Sequence, residues 1–234
     1  MTPALSWLWL GRVPHADAMA RQEARRTRLL GGELDAAAVL LAEHEPTITL
    51  GRSADDSHVL LSPAELAARG IQVLRTTRGG QVTYHGPGQL MVYPVVRLRG
   101  GLVAYLECVS RALAQVAAEF HVPGAAWKRD PAGLWVGDRK LASCGVHVSR
   151  RVTTHGFAFD VATPDAAWTA INPCGLPSVP NTSLAAERAR RGIEGTPSVR
   201  EVAEIAGPMV CRHLDTLLRG ALPSTRREAR SIRS

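Results

Sequence analysis

Three long segments of this chain read as helices, and the residues between them fall into two shorter helices and short apolar and β-branched runs broken by glycine and proline. That mixture confines the fold to one class. The segment from His15 to Leu30 holds no glycine or proline and stops at Gly31-Gly32. Val103, Leu106, Val109, Leu113, Val116 and Phe120 recur at spacings of three and four, defining one apolar helix face. A last helix opens on Ser198 and Glu201, a capping box, and continues through Val202, Ile205, Val210, Leu214 and Leu217, with a kink expected at Pro208.

Between these helices, Ala37–Leu41 and Thr47–Leu50 flank Pro46 and suggest a strand pair or one broken strand. Ser62, Pro63 and Glu65 form a second capping box, whose helix closes at Gly70 before a strand from Ile71 to Leu74. Leu90–Val96 reads as a strand, and Pro94 argues for an edge or bulged position in it. Leu134–Val136, the turn Gly137-Asp138 and Arg139–His147 read as a hairpin, and Thr153–Val161 as a further strand. A helix near Asp165–Ala170 leads into a loop at Asn172-Pro173-Cys174-Gly175. Hairpins without strict βαβ alternation predict an α/β domain of α+β type, a mixed sheet flanked by helices. The expectation is one catalytic-size domain over 1–222 and a disordered basic tail over 223–234.

The 234 residues carry a net charge of +7, which raises nucleic acid as a partner. Four arginines and one glutamate after Pro223 supply +3 of it, no basic stripe is interleaved with aromatics, and aromatics are only 5%. A nucleic-acid binder is therefore not expected. The apolar run Ala4–Leu10 is too short to span a bilayer, so no membrane association is expected. Cys108, Cys144, Cys174 and Cys211 form no CxxC pair or zinc spacing, which predicts a reducing, cytoplasmic location and no metal.

Of the 28 cationic residues only Lys128 and Lys140 are lysines. Lysine can exchange a proton where arginine cannot, so a lysine in so arginine-biased a chain is a candidate for chemistry. The stretch Arg78-Gly79-Gly80-Gln81-Val82-Thr83-Tyr84-His85-Gly86-Pro87-Gly88-Gln89 is the most unusual in the chain. Its glycines permit close backbone approach to a ligand, yet it is neither a P-loop nor a dinucleotide fingerprint. A glycine-rich turn between strands would have the same composition. Cys174, between Pro173 and Gly175, is better placed for reaction than Cys108 or Cys211 on helix faces or Cys144 in a strand. It reads either as a nucleophile or as an ordinary loop cysteine. His85 and His155, each followed by glycine, leave a cysteine–histidine pair open.

RGGQVTYHGPGQ from Arg78 to Gln89, GDRKLASCG from Gly137 to Gly145, HGFAFD from His155 to Asp160 and INPCG from Ile171 to Gly175 resemble, in that order, the octanoyltransferases of lipoate biosynthesis. The resemblance spans about residues 8 to 190. It implies a domain like the biotin and lipoate protein ligase catalytic domain. The implied activity is ATP-independent and uses no cofactor: transfer of an octanoyl group from octanoyl-acyl carrier protein to a lysine of lipoyl domains. The implied acceptors are the 2-oxoacid dehydrogenase complexes and the glycine cleavage H protein, and the implied state is a monomer. By the same resemblance Cys174 is the nucleophile that becomes an acyl thioester, and Lys140 lowers its pKa and serves as general acid and base. The implied substrate-binding residues are Arg78, Gly79, Gly80, Gln81, Val82, Thr83, Tyr84 and His85, then Ser143, Cys144 and Gly145, then Gly156, Phe157 and Ala158. Two positions depart from the family pattern: Asp160 stands where asparagine is common, and Cys144 where a small aliphatic residue is commoner. The competing readings are an ATP-dependent lipoate or biotin ligase of the related fold, which needs no cysteine nucleophile, and a non-catalytic carrier-protein-binding module.

Overall fold

The computed structural model describes residues 4–172 and 180–220. Its elements in chain order are β1 (Ser6–Arg12), α1 (His15–Leu30), β2 (Ala38–Glu43), β3 (Thr47–Leu50), α2 (Pro63–Ala68), β4 (Gln72–Arg75), β5 (Val82–His85), β6 (Gln89–Val95), α3 (Leu102–Glu119), β7 (Ala125–Arg129), β8 (Ala132–Val136), β9 (Arg139–Ser149), β10 (Val152–Asp160), α4 (Leu184–Ala189) and α5 (Val199–Leu218). Residues 221–234, which hold all of the expected basic tail, lie outside the described residues.

Local signals set most helix bounds. At α2 and α5, Ser62 and Ser198 accept the backbone N–H groups of Glu65 and Glu201, whose carboxylates accept the serine N–H groups in return. Helix α5 runs on through Pro208, and the preceding Gly207 lies so close to the Trp7 ring that an added Cβ would fall 2.4 Å from it. The segment Asp165–Ala170, between Pro164 and extended Ile171, is a 3-10 helix rather than an α-helix.

Seven strands form a mixed sheet in the order β1-β2-β6-β10-β9-β8-β7, parallel at β1/β2 and antiparallel elsewhere. Strand alternation divides its side chains between two faces. Val39, Leu41, Leu90, Val92, Phe157 and Phe159 pack beneath α3 and α5, whereas Ala38, Leu40, Met91, Tyr93 and Ala158 meet Ala18 of α1. A second sheet, β4-β3-β5, packs Ile48, Leu50, Val82 and Tyr84 against Leu66 of α2. The segments at 37–41 and 47–50 therefore do not pair: β2 is central in the large sheet and β3 is central in the small one. The apolar run at the N-terminus, for which no strand was expected, is edge strand β1.

Pro94 sits on a central strand, which its missing N–H would ordinarily forbid. The β6–β10 ladder runs only from Asp160↔Gln89 to Phe157↔Val92. Beyond it the ladder opens without a change of register: His155, opposite Pro94, takes φ 57° and gives its N–H to Gln22 Oε1 at 2.7 Å. Contact resumes past Pro94, where Thr153 N donates to the Val96 carbonyl at 3.0 Å. Pro94 is therefore neither on an edge nor at a bulge: the ladder is interrupted opposite it and resumes in the same register.

Candidate active site

The chain passes from the small sheet to the large one through Gly86-Pro87-Gly88, between β5 and β6. Gly88 has φ 85°, and a Cβ there would lie 2.5 Å from the Ala162 carbonyl oxygen. Upstream, the Gly79 N–H bonds the Val146 carbonyl of β9 at 3.1 Å, and a Cβ on Gly145 would come 2.9 Å from the Gly79 oxygen. These glycines let one stretch of backbone lie directly on another. Under that roof, on the α1 face of the large sheet, is a cavity of about 350 Å³.

Most residues singled out in the sequence meet at this cavity. Arg78, Gly80, Gln81, Val82, Thr83 and His85 line it from the glycine-rich segment, Lys140, Ser143, Cys144 and Gly145 from β9, and Gly156, Phe157 and Ala158 from β10. Two do not line it. Gly79 is engaged with Val146, and the Tyr84 ring points to the small-sheet core, edge-on to Trp168 at 6.2 Å. Cys174 lies outside the described residues, as do the others of 173–179.

Lys140 is 8% exposed, far from the exposed strand lysine that its residue type suggests. Gly133 on β8 makes room for it, since a Cβ there would lie 2.6 Å from Lys140 Cε. Its ammonium stands 5.5 Å from the centroid of Trp135. Lys128, which had no assigned role, approaches the same ring at 4.6 Å and donates to the Gly137 carbonyl at 2.7 Å.

One end of the cavity is walled by buried polar groups. The His15 ring lies 5.3, 6.1 and 6.5 Å from those of His44, His85 and His155. A carbonyl can only accept, so His44 Nδ1 donates to Val13 O at 2.7 Å and Nε2 accepts from the Tyr93 hydroxyl at 2.8 Å. His85 continues a longer chain. Arg78 Nε donates to Thr49 Oγ1 at 3.0 Å, Thr49 donates to His85 Nε2 at 3.0 Å, and His85 Nδ1 donates to Gln89 Oε1 at 2.9 Å. Gln89 Nε2 then donates to Asp160 Oδ1 at 2.9 Å, which also accepts from Thr163 Oγ1 at 2.7 Å. Each donor in this sequence meets an acceptor only if His85 is neutral. Burial, and then the charge of Arg78, hold its pKa well below the usual value, which agrees with that tautomer. Burial pushes Asp160 up to about 7 against the lowering effect of Gln89, Thr163 and Lys140.

Burial also raises the thiols of Cys108 and Cys144 to about 11 and that of Cys211 to about 12. All three are held protonated at neutral pH. Cys144 is among the lining residues, but its side chain packs, beside its cross-strand partner Phe157, against the α3/α5 core, so the departure from a smaller residue alters the packing beneath the cavity.

Sequence reasoning missed His15, Met91, Tyr93, Trp168 and Asn181 in the lining. His15 and Tyr93 belong to regular elements, and nothing in local spacing marks them. Among the described residues no helix is long and apolar enough to cross a membrane.

The lipoyl protein ligase A/B catalytic domain matches residues 14–204, four-fifths of the chain and every element that lines the cavity. The chain belongs to that family. Within it, the chain is 39% identical to an octanoyltransferase of Desulfotalea psychrophila, over 76% of this chain and 82% of that one. It is 41% identical to an octanoyltransferase of Myxococcus xanthus over 77% of this chain, a match that spans only 53% of the Myxococcus protein. These relatives place it among the octanoyltransferase enzymes of the family. Its fold is also that of lipoate-protein ligase A in a structure bound with ATP (TM-score 0.71, 14% identity, 91% of this chain and 86% of that one). The biotin protein ligase of Aquifex aeolicus is a more distant fold relative (TM-score 0.51, 12% identity, 92% and 72%).

Proposed function

We propose that this octanoyltransferase-family enzyme moves an octanoyl group from octanoyl-acyl carrier protein to a specific lysine of lipoyl domains through a thioester on Cys174. The observation that carries this reading is Lys140. It is a buried lysine at the cavity, and its backbone N–H donates to the carbonyl of Pro180, the first described residue after Cys174, at 2.8 Å. The raised thiol pKa values of Cys108, Cys144 and Cys211 argue against each of those three as the reacting sulfur.

In the first half-reaction the Cys174 thiolate, stabilised by the Lys140 ammonium, attacks the carrier thioester. The new C–S bond forms as the old one breaks, and the departing carrier sulfur takes a proton from Lys140. In the second, the acceptor amine attacks the Cys174 thioester. Its proton passes to neutral Lys140, the amide forms, and Cys174 leaves as thiolate. Thioester exchange is nearly balanced in energy and amide formation is downhill, so no ATP is required. The cavity lies at the lower end of the roughly 300–1,000 Å³ typical of ligand pockets. Burying the seven carbons beyond the carbonyl there is worth about 5.6 kcal/mol at roughly 0.8 kcal/mol per methylene.

The test is intact-mass analysis after incubation with octanoyl carrier protein, followed by peptide mapping. An octanoyl adduct on Cys174, absent in Cys174→Ala, is expected. Lys140→Arg, which keeps the charge but not the proton exchange, should lose most turnover while remaining folded. Equal product from octanoate and ATP would favour the adenylating ligases instead, and no adduct with any donor would leave a binding module.

A further inference from the structure

We propose that Glu187 is a positioning residue for Lys140, locking the backbone from which that side chain projects. The role for Lys140 rests on the transfer reading above; the lock itself does not. The β9 backbone at Lys140 is irregular: Trp135 pairs with Lys140 and Leu134 with Ala142, so Leu141 is an extra residue in the ladder to β8. Such a bulge re-aims the neighbouring side chains and weakens the ladder that would hold them. On the other edge, the pairing with β10 ends at Ala142, and the segment Pro180–Thr182 takes its place. Lys140 N donates to Pro180 O at 2.8 Å, and Thr182 N donates to Lys140 O at 2.9 Å. Holding Lys140 therefore falls to a short segment outside both sheets.

Glu187 fastens that segment. It has no exposed surface, unusual for a carboxylate. Arg139, the residue before Lys140, grips it with two bonds, Nε to Oε1 at 2.6 Å and Nη2 to Oε2 at 3.1 Å. Thr182 Oγ1 donates to Oε1 at 2.9 Å, and Arg190 Nη1 bonds both Oε1, at 3.0 Å, and Thr182 Oγ1, at 2.9 Å. Arg191 Nη1 donates to Oε2 at 2.8 Å. One carboxylate thus joins the residue preceding Lys140 to the residue whose N–H holds the Lys140 carbonyl. Releasing it frees the β9 bulge to rotate and carries Lys140 Nζ away from its place at the cavity.

The test compares the wild-type chain with Glu187→Gln and Arg139→Gln. The second is milder and decides the matter if the first does not fold. Amide hydrogen exchange at Lys140 and Thr182 should quicken by about tenfold or more, with the β6–β10 amides unchanged. Octanoyl transfer should lose up to about 10²-fold in kcat, as expected for a reacting group displaced by about 1 Å, with KM for the octanoyl carrier within about threefold. A folded variant with both amides still protected, or with wild-type kcat, overturns the proposal. So does a uniform rise in exchange across the sheet, which would make Glu187 a global stabiliser. A wild-type chain without transferase activity would instead remove the reading above, leaving the exchange result to judge the lock.

Discussion

Replacing His15 by methionine should make the protein less sensitive to acid, and the magnitude follows from the histidine cluster. The His15 ring is 6% exposed and stands among three other imidazoles. Burial first, and then the charges of His44 and Arg78, lower its pKa from 6.5 to about 4. The unfolded chain binds this proton more readily, so the stability of the neutral buried ring is complete above pH 6.5 and is lost as pH falls toward 4. At pH 5, protonation of an ordinary histidine favours the unfolded state by about 2 kcal/mol, and the folded ring recovers almost none of it. His155, lowered to about 3 chiefly by burial, adds a similar loss. Asp160 acts in the opposite direction: raised to about 7, it takes up a proton in the folded state as pH falls and restores about 2.5 kcal/mol. The wild-type pH dependence therefore mixes opposed contributions, and the informative quantity is a double difference. Urea unfolding of wild type and His15→Met at pH 7.5 and 5.0 should give free energies whose gap moves by about 2 kcal/mol in favour of the variant at pH 5. Parallel behaviour, with a gap that moves by less than about 0.5 kcal/mol, would refute the claim that this ring is held neutral.

Two further perturbations read other parts of the structure. Asp160→Asn keeps an oxygen for Gln89 and Thr163 but removes a buried charge, so wild type should lose about 2.5 kcal/mol relative to the variant between pH 5 and 8.5. A gap that stays constant over that range in urea titrations would contradict the raised acidity constant. Gly156→Ala would put a Cβ 2.0 Å from the Val92 carbonyl oxygen and 3.2 Å from Pro94 Cδ, in the fully buried strand β10. It should destabilise by about 3 kcal/mol in the same assay, whereas Gly100→Ala, with open space around it, should fall within about 0.5 kcal/mol of wild type.

Features that depend on neighbours a few residues away can be read directly along the chain. Helix α1 covers the interval between Pro14 and the two glycines, α2 and α5 begin at their capping boxes, and β8–β9 turn at Gly137-Asp138, because caps and φ preferences act within one or two turns of chain. The glycine-rich segment and Lys140 stood out by composition that packing alone would not ask for, whereas the 143–145 and 156–158 clusters were legible only through the family resemblance; most of these residues line the cavity. Only the tertiary structure decided how these pieces meet. Strands β5 and β6 are three residues apart in the chain and lie in different sheets, whereas His155 N reaches Gln22 across 133 residues, which satisfies the N–H that stands opposite Pro94. The four histidines come from positions 15, 44, 85 and 155, and their shared neutrality is a product of desolvation, which no local pattern encodes. Lys140 is the sharpest case: its residue type predicts an exposed side chain, and its burial depends on the space left by Gly133 and on a clamp supplied some 40 residues later by Thr182 and Glu187. Hydrogen bonds between adjacent residues can be read along the chain, but burial is a property of everything that surrounds a group in space.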